Sequence, residues 1–172
     1  TVTAIYQAVR FGEPLMSRIV TVTGDAVQNP CNFEVPVGML LSELLEQAGG
    51  LKNEASKIIC GGPMMGKALF TMEVPVTKTT SALTCLTEDE VSALAPSACI
   101  NCGRCVNVCP GHVLPARLAK LAERGDMAGF EALDGMECCE CGCCSYICPA
   151  KRPLTQSIKS MRKMVLASRR KK

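Results

Sequence analysis

Polar and apolar residues alternate in the first third of the chain in the way expected of β-strands. Residues 18–23 alternate and are rich in β-branched side chains, and the turn-forming pair Gly24-Asp25 follows them. This pattern predicts a strand that ends at a turn. A second strand is predicted near residues 31–35 and a third over residues 57–60.

Between the second and third strands the apolar spacing becomes helical. The residues that recur at this spacing are Leu41, Leu44, Leu45 and Ala48. The pair Gly49-Gly50 follows and is a helix stop, so a helix is predicted to end there. Strand, strand, helix and strand in one short segment predict a small β-grasp-like unit.

Residues 61–90 show weaker patterns. The run from Gly61 to Gly66 holds three glycines and a proline, which predicts a tight loop. Short apolar β segments are predicted over residues 74–79 and 82–86. The glycine-rich loop lacks the G-x-G-x-x-G spacing and a following helix, so a packing turn is favoured over a phosphate-binding loop.

Helical patterns dominate the rest of the chain. Residues 87–90 fit a capping box that opens a helix ending near Pro96. A second helix is marked by Leu114, Leu118 and Leu121, and a basic amphipathic helix is predicted over residues 154–168.

Together these elements predict an α+β protein in three parts. Residues 1–66 form a small β-grasp-like domain, and residues 67–90 form a linker with short strands. Residues 91–172 form an α-helical domain that carries most of the cysteines of the chain, in loops between its helices, and that ends with the basic helix.

Cysteine is the exceptional residue of this composition. The 172 residues include 13 cysteines and no tryptophan, and ten of the cysteines fall within residues 99–148. Disulfide scaffolds are short, secreted and loop-rich, whereas this crowding favours metal binding in a reducing compartment. No stretch of the sequence approaches the ~18 apolar residues of a membrane span.

Two motifs of the form C-x2-C-x2-C-x3-C-P follow one another along the chain. The first consists of Cys99, Cys102, Cys105 and Cys109, and the second of Cys138, Cys141, Cys144 and Cys148. Three thiolates at this spacing bind three irons of one 4Fe–4S cubane, and the fourth, before proline, ligates the other cubane in two-cluster proteins. The spacing therefore predicts two clusters with crossed ligands. Cluster 1 takes Cys99, Cys102, Cys105 and Cys148, and cluster 2 takes Cys138, Cys141, Cys144 and Cys109.

The main alternative is a pair of zinc sites with four cysteine ligands each. Structural zinc prefers C-x2-C pairs separated by a longer loop, so runs of three cysteines with a trailing C-x3-C-P favour clusters. Gly103 and Gly142 fit this interpretation, because a bulky side chain beside the middle thiolates would crowd a cubane.

Six further residues of possible metal-binding type remain: Cys31, Cys60, Cys85, Cys139, Cys143 and His112. The first three are interpreted as small buried hydrophobes. Cys139 and Cys143 lie inside the second motif, and their exchange with a neighbouring ligand stays open. His112 is interpreted as a loop histidine, since eight thiolates are already present. No catalytic residue is assigned, because no Ser/His/Asp or Cys/His set can be assembled.

Charge is distributed unevenly. Residues 1–140 carry ten basic and sixteen acidic side chains, whereas residues 141–172 carry nine basic and no acidic ones. The basic segment is either a solvated helix face or a docking surface for an acidic redox partner or anionic lipid. Nothing indicates nucleic-acid binding.

The chain closely resembles the C subunits of the Rnf electron-transport complexes, the RnfC/RsxC family. Residues 18–51 are similar to the SLBB domain of that family, a β-grasp module, and residues 61–66 with 74–78 are similar to its linker. Residues 138–149 match its second cluster motif almost residue for residue.

The resemblance implies a peripheral subunit at the cytoplasmic face of the bacterial inner membrane. It would work with the other subunits of the complex and with ferredoxin or a ferredoxin-like subunit. Electrons would pass between reduced ferredoxin and NAD, coupled to sodium or proton movement. In this family FMN and NADH bind to a region N-terminal to the SLBB domain that this sequence does not include. We therefore expect the chain to be the C-terminal portion of a longer subunit, with Thr1 near the junction.

Two other functions are compatible with this plan. The related cobalamin reductase of bacterial microcompartments shares the SLBB-plus-two-cluster arrangement. A partner-binding module with structural clusters is the second. Neither alternative changes the predicted ligands.

Overall fold

A computed structural model describes residues 1–89, 91 and 93–170. It divides the chain into two compact units, Thr1–Glu90 and Val91–Lys172. Each unit has its own hydrophobic core. The protein is thus a mixed α/β chain in which a five-stranded sheet and most of the helices belong to different units.

The first unit is built around the sheet. Its elements are α1 (Val2–Phe11), β1 (Ser17–Thr23), β2 (Cys31–Pro36), α2 (Leu41–Gln47), β3 (Lys57–Cys60), β4 (Lys67–Leu69) and β5 (Ala82–Leu86). The strand order is β2-β1-β5-β3-β4. The β1–β5 pair is parallel, and the other neighbours are antiparallel.

Alternation in β1 is what places the sheet on its core. Val20 and Val22 point to the same face because side chains alternate along a strand, and both are fully buried. They share one apolar cluster with Leu41 and Leu44 of α2 and Leu83 of β5. The three predicted strands and the helix at residues 41–48 are confirmed, each within two residues of its expected bounds.

Residues 67–90 contribute more to the sheet than a linker would. They supply β4 and also β5, which pairs with β1 on one side and with β3 on the other. The predicted strand over residues 74–79 is wrong. An isolated bridge joins Pro75 to Leu40, and proline has no N–H with which to extend a ladder.

The predicted helix over residues 87–96 is also wrong for the described part of that segment, and Glu90 and Ser92 lie outside the described residues. Thr87 does not cap a helix. Its backbone N–H and its hydroxyl donate instead to the carboxylate of Asp25. These bonds tie the end of β5 to the turn after β1.

Helix α1 has no counterpart among the elements predicted from the sequence. It ends at Gly12, whose left-handed φ of 70° closes the helix. No residue of α1 is buried, and its apolar side chains, such as Val2 and Val9, are exposed.

The second unit consists of helices and loops. Its elements are α3 (Arg104–Asn107), α4 (Pro115–Glu123), α5 (Met127–Ala132), a 3-10 turn (Gly135–Glu137), α6 (Cys143–Tyr146) and α7 (Leu154–Arg170). The predicted helices near residues 114–124 and 154–168 are confirmed as α4 and α7.

The core of the second unit lies between α4, α5 and α7. Leu118, Phe130, Ile158 and Met161 are fully buried there. Gly135 packs against the ring of Phe130 so closely that an added Cβ would lie 2.4 Å from a ring carbon. This core holds α4 and α7, and the two cysteine motifs lie in the segments that precede them. The motifs were expected in loops, but the third cysteine of each lies in a one-turn helix, Cys105 in α3 and Cys144 in α6. Over the described residues, no helix is both long and apolar enough to span a membrane.

Candidate metal centres

The backbone conformation of the second unit repeats along the sequence. The number of residues between equivalent positions is the same as between Cys99 and Cys138. Helices α3 and α6 begin at positions with this spacing, and so do α4 and α7. Gly103 and Gly142 precede the two short helices with left-handed φ values of 74° and 86°. Their carbonyls accept from the N–H groups three positions later, at 2.9 and 3.1 Å. Both positions are glycine because L side chains disfavour this conformation.

The loops around these helices repeat as well, at non-glycine positions. Asn101 and Glu140 are left-handed with φ values of 54° and 57°, and His112 and Lys151 with 50° and 52°. The members of each pair occupy equivalent places in the repeat. Positive φ is uncommon outside glycine, so these matched positions show that the two motifs follow the same path. His112 is an exposed loop residue, as expected.

Two concave sites accompany the two motifs. A cavity of about 200 Å³, the first cavity, is lined by Cys99, Cys102, Cys105 and Cys148. A smaller one, the second cavity, is lined by the motif cysteines Cys109, Cys138, Cys141 and Cys144 and also by Cys139. Each cavity therefore brings together three cysteines of one motif and the last cysteine of the other.

The first cavity suits a thiolate-bound group larger than a single ion, and the second has the corresponding motif thiols around a smaller space of about 10 Å³. In the part of the chain that the structure describes, no three His, Cys, Asp or Glu side chains converge as a single metal ion would need. Four thiols around a cavity of about 200 Å³ match the ligand number and ligand type of a 4Fe–4S cluster.

The two cavities differ in exposure. Cys99 and Cys102 of the first cavity are exposed, whereas Cys144 of the second is buried. Burial raises the pKa of the Cys138 and Cys144 thiols, because an apolar surrounding disfavours the thiolate. The second cavity is thus the more enclosed site.

Polar groups of the second motif and of α7 surround the second cavity. The hydroxyl of Thr155 lies 3.3 Å from Cys144 Sγ, and Ser145 Oγ accepts from Thr155 N–H at 2.9 Å. The backbone N–H of Glu140 donates to Cys138 Sγ at 3.4 Å. N–H···S bonds of this kind influence the potential of a bound cluster.

Glu140 is a residue that sequence analysis missed. Its carboxylate pairs with Arg162, and with Lys159 at 3.5 Å, both on α7. Arg162 also donates from Nη2 to the carbonyl of Met136 at 3.1 Å. All three charged side chains are less than a quarter exposed. The sequence does contain one indication of this ion pairing. Lys159 and Arg162 have the spacing i, i+3, which places them on one side of a helix.

Part of the basic C-terminal segment is paired within its own unit. Besides the contacts of Glu140, Arg152 pairs with Glu123 and Arg169 with Glu131, each at 2.6 Å. Of the seven basic residues of this segment that the structure describes, four therefore face acidic residues from earlier in the chain. The positive charge of the C-terminal segment is therefore partly balanced by acidic side chains of the same unit.

The cysteines outside the two sets of four have varied surroundings. Cys85 is buried and Cys60 is half-buried. The prediction that Cys31 is a buried hydrophobe is wrong, since it is exposed at the start of the edge strand β2. Cys143 begins α6 and is half-buried.

Comparison with protein families divides the chain at the same two units. Residues 19–68 match the SLBB domain family. Residues 98–151 match the 4Fe-4S dicluster domain family, and this range includes both cysteine motifs.

Curated relatives match over most of the chain. It is 43% identical to the C subunit of the Na(+)-translocating ferredoxin:NAD(+) oxidoreductase complex of Acetobacterium woodii, over 99% of this chain and 39% of the relative. C subunits of ion-translocating oxidoreductase complexes match at 42% in Rhodobacter capsulatus, over 91% of this chain and 30% of that protein, and at 41% in Methanosarcina acetivorans, over 91% and 35%. The chain thus spans two fifths or less of the length of these relatives. By these matches the chain belongs to the family of C subunits of ion-translocating oxidoreductase complexes.

Proposed function

We propose that this chain holds two 4Fe–4S clusters and relays single electrons within an ion-translocating ferredoxin–NAD oxidoreductase complex. The observation that carries the proposal is the placement of the eight motif cysteines around two cavities, four at each, with Cys139 as a further cysteine at the second. The match to the dicluster family supports it independently.

The proposed ligands follow the cavities. Cys99, Cys102, Cys105 and Cys148 would hold one cluster, and Cys138, Cys141, Cys144 and Cys109 the other. When bound, a 4Fe–4S cluster supplies a one-electron redox group whose potential depends on hydrogen bonding, charge and exposure. No catalytic side chain is proposed, and the chemistry of the chain itself is to hold, screen and tune these groups.

Residues of the second unit perform these tasks. The left-handed turns at Gly103 and Gly142 begin α3 and α6 directly after the middle cysteines of the motifs. Ile158 and Val113 exclude water from the inner side of the second cavity, since they line it and are buried. The amide of Glu140 donates toward Cys138, which stabilises negative charge on that sulfur.

The first unit is proposed to be a β-grasp-like SLBB module that binds other subunits. Its mixed five-stranded sheet, with α2 packed on the buried face, supports this interpretation.

The name of the Acetobacterium relative contains the words ferredoxin and NAD(+). We propose that FMN and NADH bind elsewhere in the parent protein, and that the subunit is peripheral at the cytoplasmic face of the membrane, with ferredoxin or a ferredoxin-like subunit as the electron partner.

Iron, acid-labile sulfide and EPR measurements on the anaerobically purified chain test this function. We expect iron and sulfide equivalent to two 4Fe–4S clusters per chain and, after reduction, an EPR spectrum of two interacting clusters. Zinc in place of iron, with no cluster signal, would contradict the proposal. A partner-binding module with structural clusters would contain iron but would exchange no electrons with a ferredoxin.

A further inference from the structure

Helix α4 carries three basic side chains on one side. Arg117, Lys120 and Arg124 follow the spacing i, i+3 and i+7, which places them in a row along the helix and its C-terminal cap. All three are exposed. Within the described residues, none of the three forms an ion pair.

This row borders a broad groove, which we call the α4 groove. The groove is lined by these three residues together with Cys99, Asn101, Glu123 and Arg152. Glu123 is the acidic member of the lining, and its carboxylate is already paired with Arg152 at 2.6 Å. The α4 groove is therefore strongly positive.

The α4 groove continues into the first cavity. Cys99, Asn101, Arg117 and Arg152 line both. Cys99 is exposed, so a protein seated in the groove would touch a cysteine that we propose to be a cluster ligand.

The second cavity has no such surroundings among the described residues. Its lining consists of cysteine, apolar and small polar side chains, without a basic residue. Its cysteines, apart from the exposed Cys139, are half-buried or buried. Positive charge and exposure of the thiols thus coincide at the first cavity.

We propose that the α4 groove is the docking surface for an acidic one-electron carrier protein, which exchanges its electron at the first cavity. This inference rests on the proposed function. The reduced carrier would give up one electron, and the acceptor would be the one-electron group that Cys99, Cys102, Cys105 and Cys148 hold when a cluster is bound. No bond forms or breaks and no proton moves.

Charge complementarity selects this partner. A positive rim around an exposed redox site attracts a negative protein and speeds its encounter. An anionic lipid surface would also be attracted by the charge. It would, however, gain nothing from the exposed cysteines that lie in the same groove.

A charge-reversal experiment tests the proposal. Lys120→Glu/Arg124→Glu changes two residues that line the α4 groove but not the first cavity. The probe is a reduced acidic ferredoxin, mixed in a stopped-flow spectrometer with the oxidised, cluster-loaded chain. At low ionic strength we expect the second-order rate constant to fall about tenfold or more, and its dependence on salt to weaken.

Lys163→Glu/Arg170→Glu is the matched control. It makes the same change in net charge at exposed positions of α7 outside the α4 groove. We expect its rate constant to stay within about threefold of the unaltered chain, because steering depends on where the charge lies. Equal effects of the two double variants, or no effect of the groove variant, would overturn the docking site.

Further measurements separate the possible failures. Iron content and the EPR spectrum should be the same in both double variants and in the unaltered chain. If the unaltered chain has no clusters, the proposed function fails and not merely the docking site. If the groove variant loses binding to phosphatidylglycerol vesicles but keeps its rate constant with ferredoxin, the groove is a lipid site and the proposal is wrong.

Discussion

Glu140 shows how a single side chain connects a cysteine motif to a distant helix. It lies between Cys138 and Cys141 in the sequence, and its carboxylate pairs with Lys159 and Arg162 of α7. Its own amide points to Cys138 Sγ. One residue therefore sets both the path of the loop and the charge near the second cavity.

Replacement of this carboxylate should change the potential of the group bound there. In Glu140→Gln, the two cations of α7 lose their acidic partner and stabilise the more negative, reduced form, so we expect a higher midpoint potential. The loss of a partly buried ion pair should also lower the free energy of unfolding by about 1–3 kcal/mol. An EPR-monitored redox titration and denaturant unfolding measure the two effects.

Glu137→Gln is the matched control for this variant. Glu137 is exposed and lies just before Cys138, and it forms no ion pair within the described residues. A shift of the same size in both variants would mean that net charge matters, and not the contact with α7.

At the residue scale, the sequence was sufficient to propose the ligands but not their surroundings. The eight cysteines could be singled out because the C-x2-C-x2-C-x3-C-P spacing is itself local chemistry. The partners of Glu140 could not, because the rotation of α7 about its axis is fixed by Ile158 and Met161 in the core. The same limit applies to Arg117 and Lys120, whose common groove depends on how α4 packs.

Among the elements, the turn after β1 is under the tightest steric constraint. Gly24 has φ of 120°, and an added Cβ would lie 1.9 Å from the carbonyl oxygen of Cys85 in β5. Asp25 follows and accepts from Thr87 at the end of the same strand. The close approach of β1 and β5 thus depends on a residue without a side chain.

Gly24→Ala should therefore destabilise the first unit. Both the clash with β5 and the left-handed backbone act against alanine, and together we expect a loss of about 2 kcal/mol or more in the free energy of unfolding. Urea unfolding followed by circular dichroism measures this loss. Gly62→Ala is the control, since no atom outside its neighbours lies within 4 Å of its added Cβ, and an equal loss there would contradict the steric explanation.

The elements that could be predicted are those with a buried face. Strand β1 and helix α2 have regular apolar spacing because one face of each packs on the core. Helix α1 buries no residue, and it was missed although Val2, Ile5 and Val9 recur at helical spacing. The helix prediction for residues 87–96 was wrong for a different reason. Thr87, which was expected to cap that helix, donates instead to the carboxylate of Asp25.

At the scale of the whole molecule, the most consequential feature is that each cavity draws on both motifs. Cys148 belongs to the second motif by sequence but lines the first cavity. A change at the end of the second motif should therefore act on the site formed by the first motif.

Cys148→Ala is the variant that tests this coupling. We expect the cluster assigned to the first cavity to be lost or altered while the other one remains, so that iron content falls by up to about half. Iron analysis and EPR measure the outcome. Cys143→Ala, next to Cys144 but lining neither cavity, should leave both clusters in place, and loss of the second cluster alone in Cys148→Ala would refute the crossed assignment.

The internal repetition has a consequence for how such a unit can be divided. Each half of it would retain three cysteines of its own cavity and lack the fourth. Two separate halves could complete both cavities by pairing, each lending its last cysteine to the other, as protomers do in a domain-swapped dimer. The second unit resembles such a dimer whose two halves are joined in one polypeptide. Because the chain connects the halves, their association does not depend on protein concentration.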